Sequence, residues 1–151
     1  MPVKNSIYMH VPICGIKFPL FSEPGTLQFE KRGYLVKESC GDAEISIVRQ
    51  NGADGEISVK WRTIDKAAIN GKDYHGGEGE IKFRHGETQQ MLRIPIVNDM
   101  EFEKDENFEV ELFEPQGGAK LGKVCRTAIT ITNDDGKYLK KPAFYTNTTD
   151  F

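Results

Sequence analysis

The chain has 151 residues, of which 38% are hydrophobic and 28% are charged, and its formal net charge at pH 7 is −3. This composition is typical of a soluble globular domain, and the absence of a Lys/Arg-rich cluster argues against a nucleic-acid partner. No apolar run approaches the roughly 18–20 residues that span a bilayer, and the N-terminus lacks a basic-then-apolar signal pattern, so we expect no direct membrane insertion by this segment.

The first 26 residues are interrupted by prolines and glycines and are predicted to be an irregular arm or linker. From Leu27 onward, apolar and polar residues alternate in short runs separated by turn-forming residues. Seven strands are predicted, at 27–36 with a break at Gly33, 43–49, 57–62, 79–83, 89–97, 108–113 and 124–132. Pro95 places the fifth strand at a sheet edge or a bulge. The pattern therefore predicts an all-β antiparallel sandwich over 27–135, followed by a linker at 136–151.

The segment 98–106 between the fifth and sixth strands is the most acidic part of the chain, with five carboxylates in nine residues. Alternate connections of an antiparallel sandwich lie at the same end. The connections after strands one, three, five and seven should therefore meet. This topology predicts one acidic rim formed by Glu38, Asp73, Asp99, Glu101, Glu103, Glu106, Asp134 and Asp135.

Such a rim repels itself unless it holds a cation. Calcium takes six to eight oxygen ligands and suits flexible loops, whereas magnesium requires stricter octahedral geometry, and zinc would prefer His or Cys. The alternative is a solvated acidic surface that binds nothing. The sequence favours a calcium site over that alternative because four connections contribute.

A series of short segments, in a fixed order over about 110 residues, is characteristic of a known family. These segments are 29–30, 36–41, 61–65, 71–74, 79–83, 86–88, the acidic loop through 108, and 131–135. On these segments, residues 27–135 resemble the Calx-beta family, whose members include calcium-binding regulatory domains in the cytoplasmic loop of sodium/calcium exchangers and tandem repeats in extracellular adhesion and matrix proteins.

The resemblance implies an immunoglobulin-like Greek-key sandwich with calcium held in the loops at one end. It implies ligands at Glu38 and Asp73, and at Asp99, Glu103 and Glu106 in the acidic loop. Glu101 falls where the family uses a backbone carbonyl. Asp134 and Asp135 would complete the site.

Two triplets depart from the family's strongest binders, which tend to carry Asp-Asp-Asp. This chain has 98–100 as Asn-Asp-Met and 133–135 as Asn-Asp-Asp. Asn98 can still offer a carbonyl oxygen but brings no charge. We therefore expect a calcium site centred on Asp99, Glu103 and Glu106 that is weaker, or holds fewer ions, than the family's best.

Two functions follow as hypotheses. The first is a calcium-sensing regulatory domain on the cytoplasmic side of an exchanger-like membrane protein, acting on a neighbouring domain of the same chain. The second is an extracellular adhesion or matrix module that serves as a spacer, which the glycosylation pattern at 147–149 would favour.

No enzyme is expected, because the three histidines lie in unrelated segments and no hydrolase, P-loop or metalloprotease motif is present. The three cysteines, Cys14, Cys40 and Cys125, form no disulfide framework. They are predicted to be buried free thiols, which favours an intracellular setting.

Overall fold

A computed structural model describes residues 23–101 and 103–134. Within these ranges the chain forms two packed sheets. The nine strands are β1 (Thr26–Phe29), β2 (Gly33–Lys37), β3 (Asp42–Gln50), β4 (Ile57–Asp65), β5 (Glu78–Phe83), β6 (Gln89–Pro95), β7 (Glu106–Gln116), β8 (Lys120–Leu121) and β9 (Arg126–Thr132). One sheet has the order β6-β3-β1-β8 and the other β2-β9-β7-β4-β5. The predicted β-sandwich class is confirmed.

The period-two alternation of the sequence builds the core. In β7, Phe108, Val110 and Leu112 are buried, and the residues between them are only partly buried. In β3, Ala43, Ile45 and Ile47 lie fully buried on the inner face of the other sheet. Because side chains alternate across a strand, each sheet buries one face against the other and leaves the second face to solvent.

The first predicted strand is in fact two strands in opposite sheets. β1 pairs antiparallel with β3, whereas β2 pairs parallel with β9. Between them the backbone crosses at residues 30–32, where the Lys31 carbonyl accepts a hydrogen bond from Thr127 Oγ1 at 2.8 Å. The short strand β8, parallel to β1, accounts for the remaining difference from the prediction of seven antiparallel strands.

The end of the sandwich opposite the acidic rim is organised around Arg49, which is only 3% exposed. Its guanidinium donates to the carbonyls of Pro24, Arg84, Asp54 and Gly55 at 2.7–3.0 Å. A buried guanidinium saturated by carbonyls holds these turns together. The turns at 50–55 and 84–88 therefore lie together at this end.

Other expectations have mixed outcomes. Pro95 does lie at the end of an edge strand, as predicted. Cys40 and Cys125 are free, but the prediction that they are buried is wrong, because Cys40 is exposed in the turn after β2 and Cys125 is partly exposed.

Several predictions fall outside the described residues. They concern Cys14, the 1–22 part of the arm, Asp135 and the 136–151 linker. None of the helices in the described ranges is long and apolar enough to cross a bilayer.

Candidate metal centre

Four connections meet at one end of the sandwich, as the alternation of strands predicts. They are 38–41 after β2, 66–77 after β4, 96–105 after β6, and 133–134 after β9. Glu38, only 7% exposed, joins three of them. Its Oε1 accepts from the Asp99 backbone N at 3.0 Å, and its Oε2 accepts from Asn133 Nδ2 at 2.9 Å.

The turn at 69–74 holds Asp73 at the rim. The Asp73 amide and its Oδ2 both bond to the backbone of Ile69, at 2.9 and 2.7 Å, so the side chain folds back over its own turn. Gly71 has φ +90, a conformation that favours glycine. The Asp73 carbonyl accepts from Val97 N at 3.0 Å, which fixes this turn against the start of the acidic loop.

Tyr74 connects the same turn to the hydrophobic core. It is fully buried, and its hydroxyl donates to the Asp65 carboxylate at the end of β4. Burial, followed by this hydrogen bond, raises the pKa of Tyr74, so the phenol remains a protonated donor. The position of Asp73 therefore depends on the packing of its buried neighbour, Tyr74.

Two groups of carboxylates bring oxygens close together at this end. One consists of Asp73, Glu103 and Glu106, and the other of Asp99, Glu101 and Glu103; in each, one oxygen per residue lies within 4.8 Å of the others. Glu103 belongs to both groups. The three residues expected at the centre are thus divided between two groups that Glu103 links.

The first group is electrostatically unfavourable by itself. Burial raises the pKa of Glu106, and the negative charges of Asp73 and Glu103 raise it further. Carboxylates packed in this way are stabilised by protonation or by a cation.

Lys72 is a member of the site that the sequence pattern did not identify. Its Nζ lies 2.6 Å from Glu103 Oε1 and 3.3 Å from Asp73 Oδ1. Hydrogen bonds to Glu103 and then to Asp73 raise the pKa of the Lys72 ammonium, which keeps it charged. The contact joins two loops distant in sequence, so only the folded chain reveals it.

The remaining predicted residues have distinct environments. Asp134 Oδ2 accepts from Ser39 Oγ at 2.5 Å, while its Oδ1 is buried and has no hydrogen-bond partner within the described part of the chain. The Glu101 carbonyl accepts from Asn133 Nδ2 at 3.0 Å. Asn98 is exposed on the acidic loop, and Asp135 lies outside the described residues.

These donors fit a calcium ion better than zinc, because each of the two groups consists of carboxylates without His or Cys. Oxygens that bind one calcium ion at 2.3–2.6 Å lie within about 5 Å of each other, which matches the spacing in both groups. The buried Asp134 Oδ1 is a further oxygen whose burial is unfavourable without a partner. The rim can therefore hold a hard divalent cation.

Comparison with known proteins identifies the family. The family model described as "Calx-beta domain" matches residues 22–135. The chain belongs to the Calx-beta family.

Relatives and solved structures agree with this assignment. The chain is 35% identical over 113 residues to the "Sodium/calcium exchanger Calx" of Drosophila melanogaster. This alignment covers 75% of the chain but only 12% of the length of the exchanger. The crystal structure of the apo-form Calx CBD1 domain matches with a TM-score of 0.70 and 35% identity, covering 73% of this chain and 97% of that one. The crystal structure of calcium binding domain CBD12 of CALX1.1 matches with a TM-score of 0.69 and 36% identity. The match covers 72% of this chain and 44% of that one.

Proposed function

We propose that this Calx-beta domain binds calcium at the acidic rim and acts as a regulatory sensor domain within a larger membrane protein related to sodium/calcium exchangers. The observation that carries the proposal is the convergence of Asp73, from the 66–77 connection, with Glu103 and Glu106, from the end of the acidic loop and the start of β7, with their oxygens within 4.8 Å. The similarity to calcium binding domain CBD12 of CALX1.1 supports the same function.

The ligands of the proposed site are carboxylates from all four rim connections. Asp73, Glu103 and Glu106 form its centre, and Asp99 and Glu101 extend it along the acidic loop. Glu38 organises the loops, and Asp134 contributes a buried oxygen. Asn98 and Asp135 remain candidate ligands on sequence grounds.

The rim would sense calcium through the electrostatic repulsion between its carboxylates. Without a cation, the carboxylates repel each other and the loops that carry them gain stability from separating. A bound calcium ion attracts all of them and favours the closed arrangement, which is a shift between two populations of the loops. Because β9 leads directly from this end into residues 135–151, the shift can be passed to a neighbouring domain of the same protein. The exchanger relatives favour this cytoplasmic regulatory function over an adhesion or matrix spacer.

The test is a calcium titration of the EDTA-stripped 151-residue chain, followed by calorimetry and thermal melting. We expect saturable binding heat and a rise in melting temperature with calcium, with a smaller response to magnesium. Glu103→Gln removes the residue shared by both groups and should weaken binding at least about tenfold.

Glu114→Gln is the matched control, because Glu114 pairs with Lys60 outside the rim. It should bind calcium as the wild type does. Absence of heat and of a thermal shift up to millimolar calcium in the wild type would overturn the proposal.

A further inference from the structure

The rim already contains a cation of its own, the ammonium of Lys72. The Lys72 ammonium bridges Asp73 and Glu103, two of the three carboxylates in the first group. Its position is specific, since the Lys72 backbone N donates to the Ile69 carbonyl at 3.1 Å within the same turn that fixes Asp73.

The side chain of Lys72 is also free to leave this position. It is 54% exposed, whereas the side chains of Asp73 and Glu103 are 9% and 24% exposed. The carboxylates are thus more enclosed than the ammonium, which is at the end of a flexible, solvated stem. Exposed ion pairs of this kind are weak individually, so the contact is reversible.

A calcium ion and the ammonium compete for the same two carboxylates, Asp73 and Glu103. We expect a calcium ion that binds Asp73 and Glu103 to displace the ammonium, because the two positive charges would otherwise lie close together in the same cluster and repel each other. We propose that Lys72 is a competitor cation, covalently attached to the rim, that lowers the calcium affinity of the rim and stabilises its calcium-free form. This inference rests on the proposed calcium function.

This role predicts two effects of opposite sign from one substitution. Lys72→Met keeps the apolar stem and removes the charge without adding an oxygen ligand. It should lower the calcium Kd roughly two- to fivefold, the range expected for loss of one exposed ion pair. It should also lower the melting temperature in EDTA, because the carboxylates lose their neutralising partner. Lys72→Arg keeps the charge and should restore both values towards the wild type.

Lys66→Met is the matched control. Lys66 precedes Lys72 in the same connection, is 45% exposed, and pairs with Glu109 at 3.6 Å, a carboxylate that belongs to neither group. This variant also removes one positive charge and one ion pair, so it accounts for the change in net charge. Its calcium Kd should stay close to that of the wild type.

Calorimetric titration of the four chains with calcium chloride, together with melts in EDTA, separates the outcomes. A tighter Kd confined to Lys72→Met supports the competitor role. An unchanged or weaker Kd in Lys72→Met, with normal binding by the wild type, overturns the role of Lys72 and leaves the calcium site intact. If neither the wild type nor Lys72→Met binds calcium, both proposals fail.

Discussion

The ring of Tyr74 stacks on the ring of Phe108, with centroids 3.8 Å apart and planes 7° apart. Tyr74 follows Asp73 in the 66–77 connection, and Phe108 lies two residues after Glu106 in β7. Both rings are fully buried. This stack therefore couples two of the proposed ligands to each other through the core.

Removing the stack should both destabilise the fold and disturb the site. Phe108→Ala is expected to lower the free energy of unfolding by about 3–5 kcal/mol, because it leaves a large cavity beneath the turn. Tyr74→Phe keeps the ring and loses the hydrogen bond from the hydroxyl to Asp65, so it should lower the free energy of unfolding by about 1 kcal/mol. Urea unfolding measures both values, and equal losses in the two variants would contradict the account.

The raised pKa of Glu106 predicts an unusual pH dependence without calcium. The folded domain binds this proton more tightly than the unfolded chain, so stability falls as pH rises from the ordinary value of 4.5 through the raised pKa. Glu106→Gln should therefore raise the melting temperature in EDTA at pH 7 by a few degrees. The same change should weaken calcium binding about tenfold or more, since it removes a charged ligand.

Melts in EDTA from pH 4 to pH 8 test this sign. The wild type should lose more stability over that range than Glu106→Gln does. A variant that is less stable than the wild type in EDTA at pH 7 would show that the charge of Glu106 is not a source of strain.

Arg49 should matter for stability and not for calcium. Arg49→Lys leaves several buried carbonyls without a donor, since an ammonium cannot reproduce the planar fork of the guanidinium. We expect a loss of about 3 kcal/mol in urea unfolding. Because these turns lie at the opposite end from the rim, the calcium Kd should stay within about twofold. A large change in Kd would show that the two ends are coupled.

The outer face of the five-stranded sheet carries a cross-strand ion-pair network centred on Glu111, which bonds Arg126 at 2.8 Å and Arg62 at 2.7 Å. Hydrogen bonds from Arg126 and then Arg62 lower the pKa of Glu111. The ionised Glu111 therefore stabilises the fold above its ordinary pKa, and this stabilisation is lost as pH falls through the lowered pKa of the folded state.

Glu111→Gln should lower the free energy of unfolding by up to about 1 kcal/mol at pH 7 and low salt, because both arginines are about half exposed. The difference should shrink in 1 M NaCl. A difference that persists undiminished at high salt would indicate packing rather than charge.

Much of the architecture was predictable because the alternation at residues such as Phe108, Val110 and Leu112 reports a half-buried strand directly. The same alternation predicts that Asp73 and Glu103 lie at one end of the sandwich. What could not be predicted depends on contacts between distant segments. The crossing at Lys31 and the two-residue β8 have no periodic signal, since tertiary pairing alone defines them.

The site shows the same division. The acidic residues were identifiable from composition and strand order, but the contacts of Lys72 with Glu103 and of Asn133 with Glu38 join residues 31 and 95 positions apart. The sequence around each of these residues does not indicate which distant residue it contacts. The exposure of Cys40 was missed for a related reason, because a cysteine in a turn after an edge strand has no strand above it to cover it.

A crystal structure of the domain grown with calcium chloride tests calcium binding at the rim directly. We predict an ion bound by oxygens of Asp73, Glu103 and Glu106 at about 2.3–2.6 Å, with the Lys72 ammonium turned out to solvent. Well-ordered loops with no ion between these carboxylates, and Lys72 still in contact with Glu103 at about 10 mM calcium, well above the range of sensor sites, would contradict it.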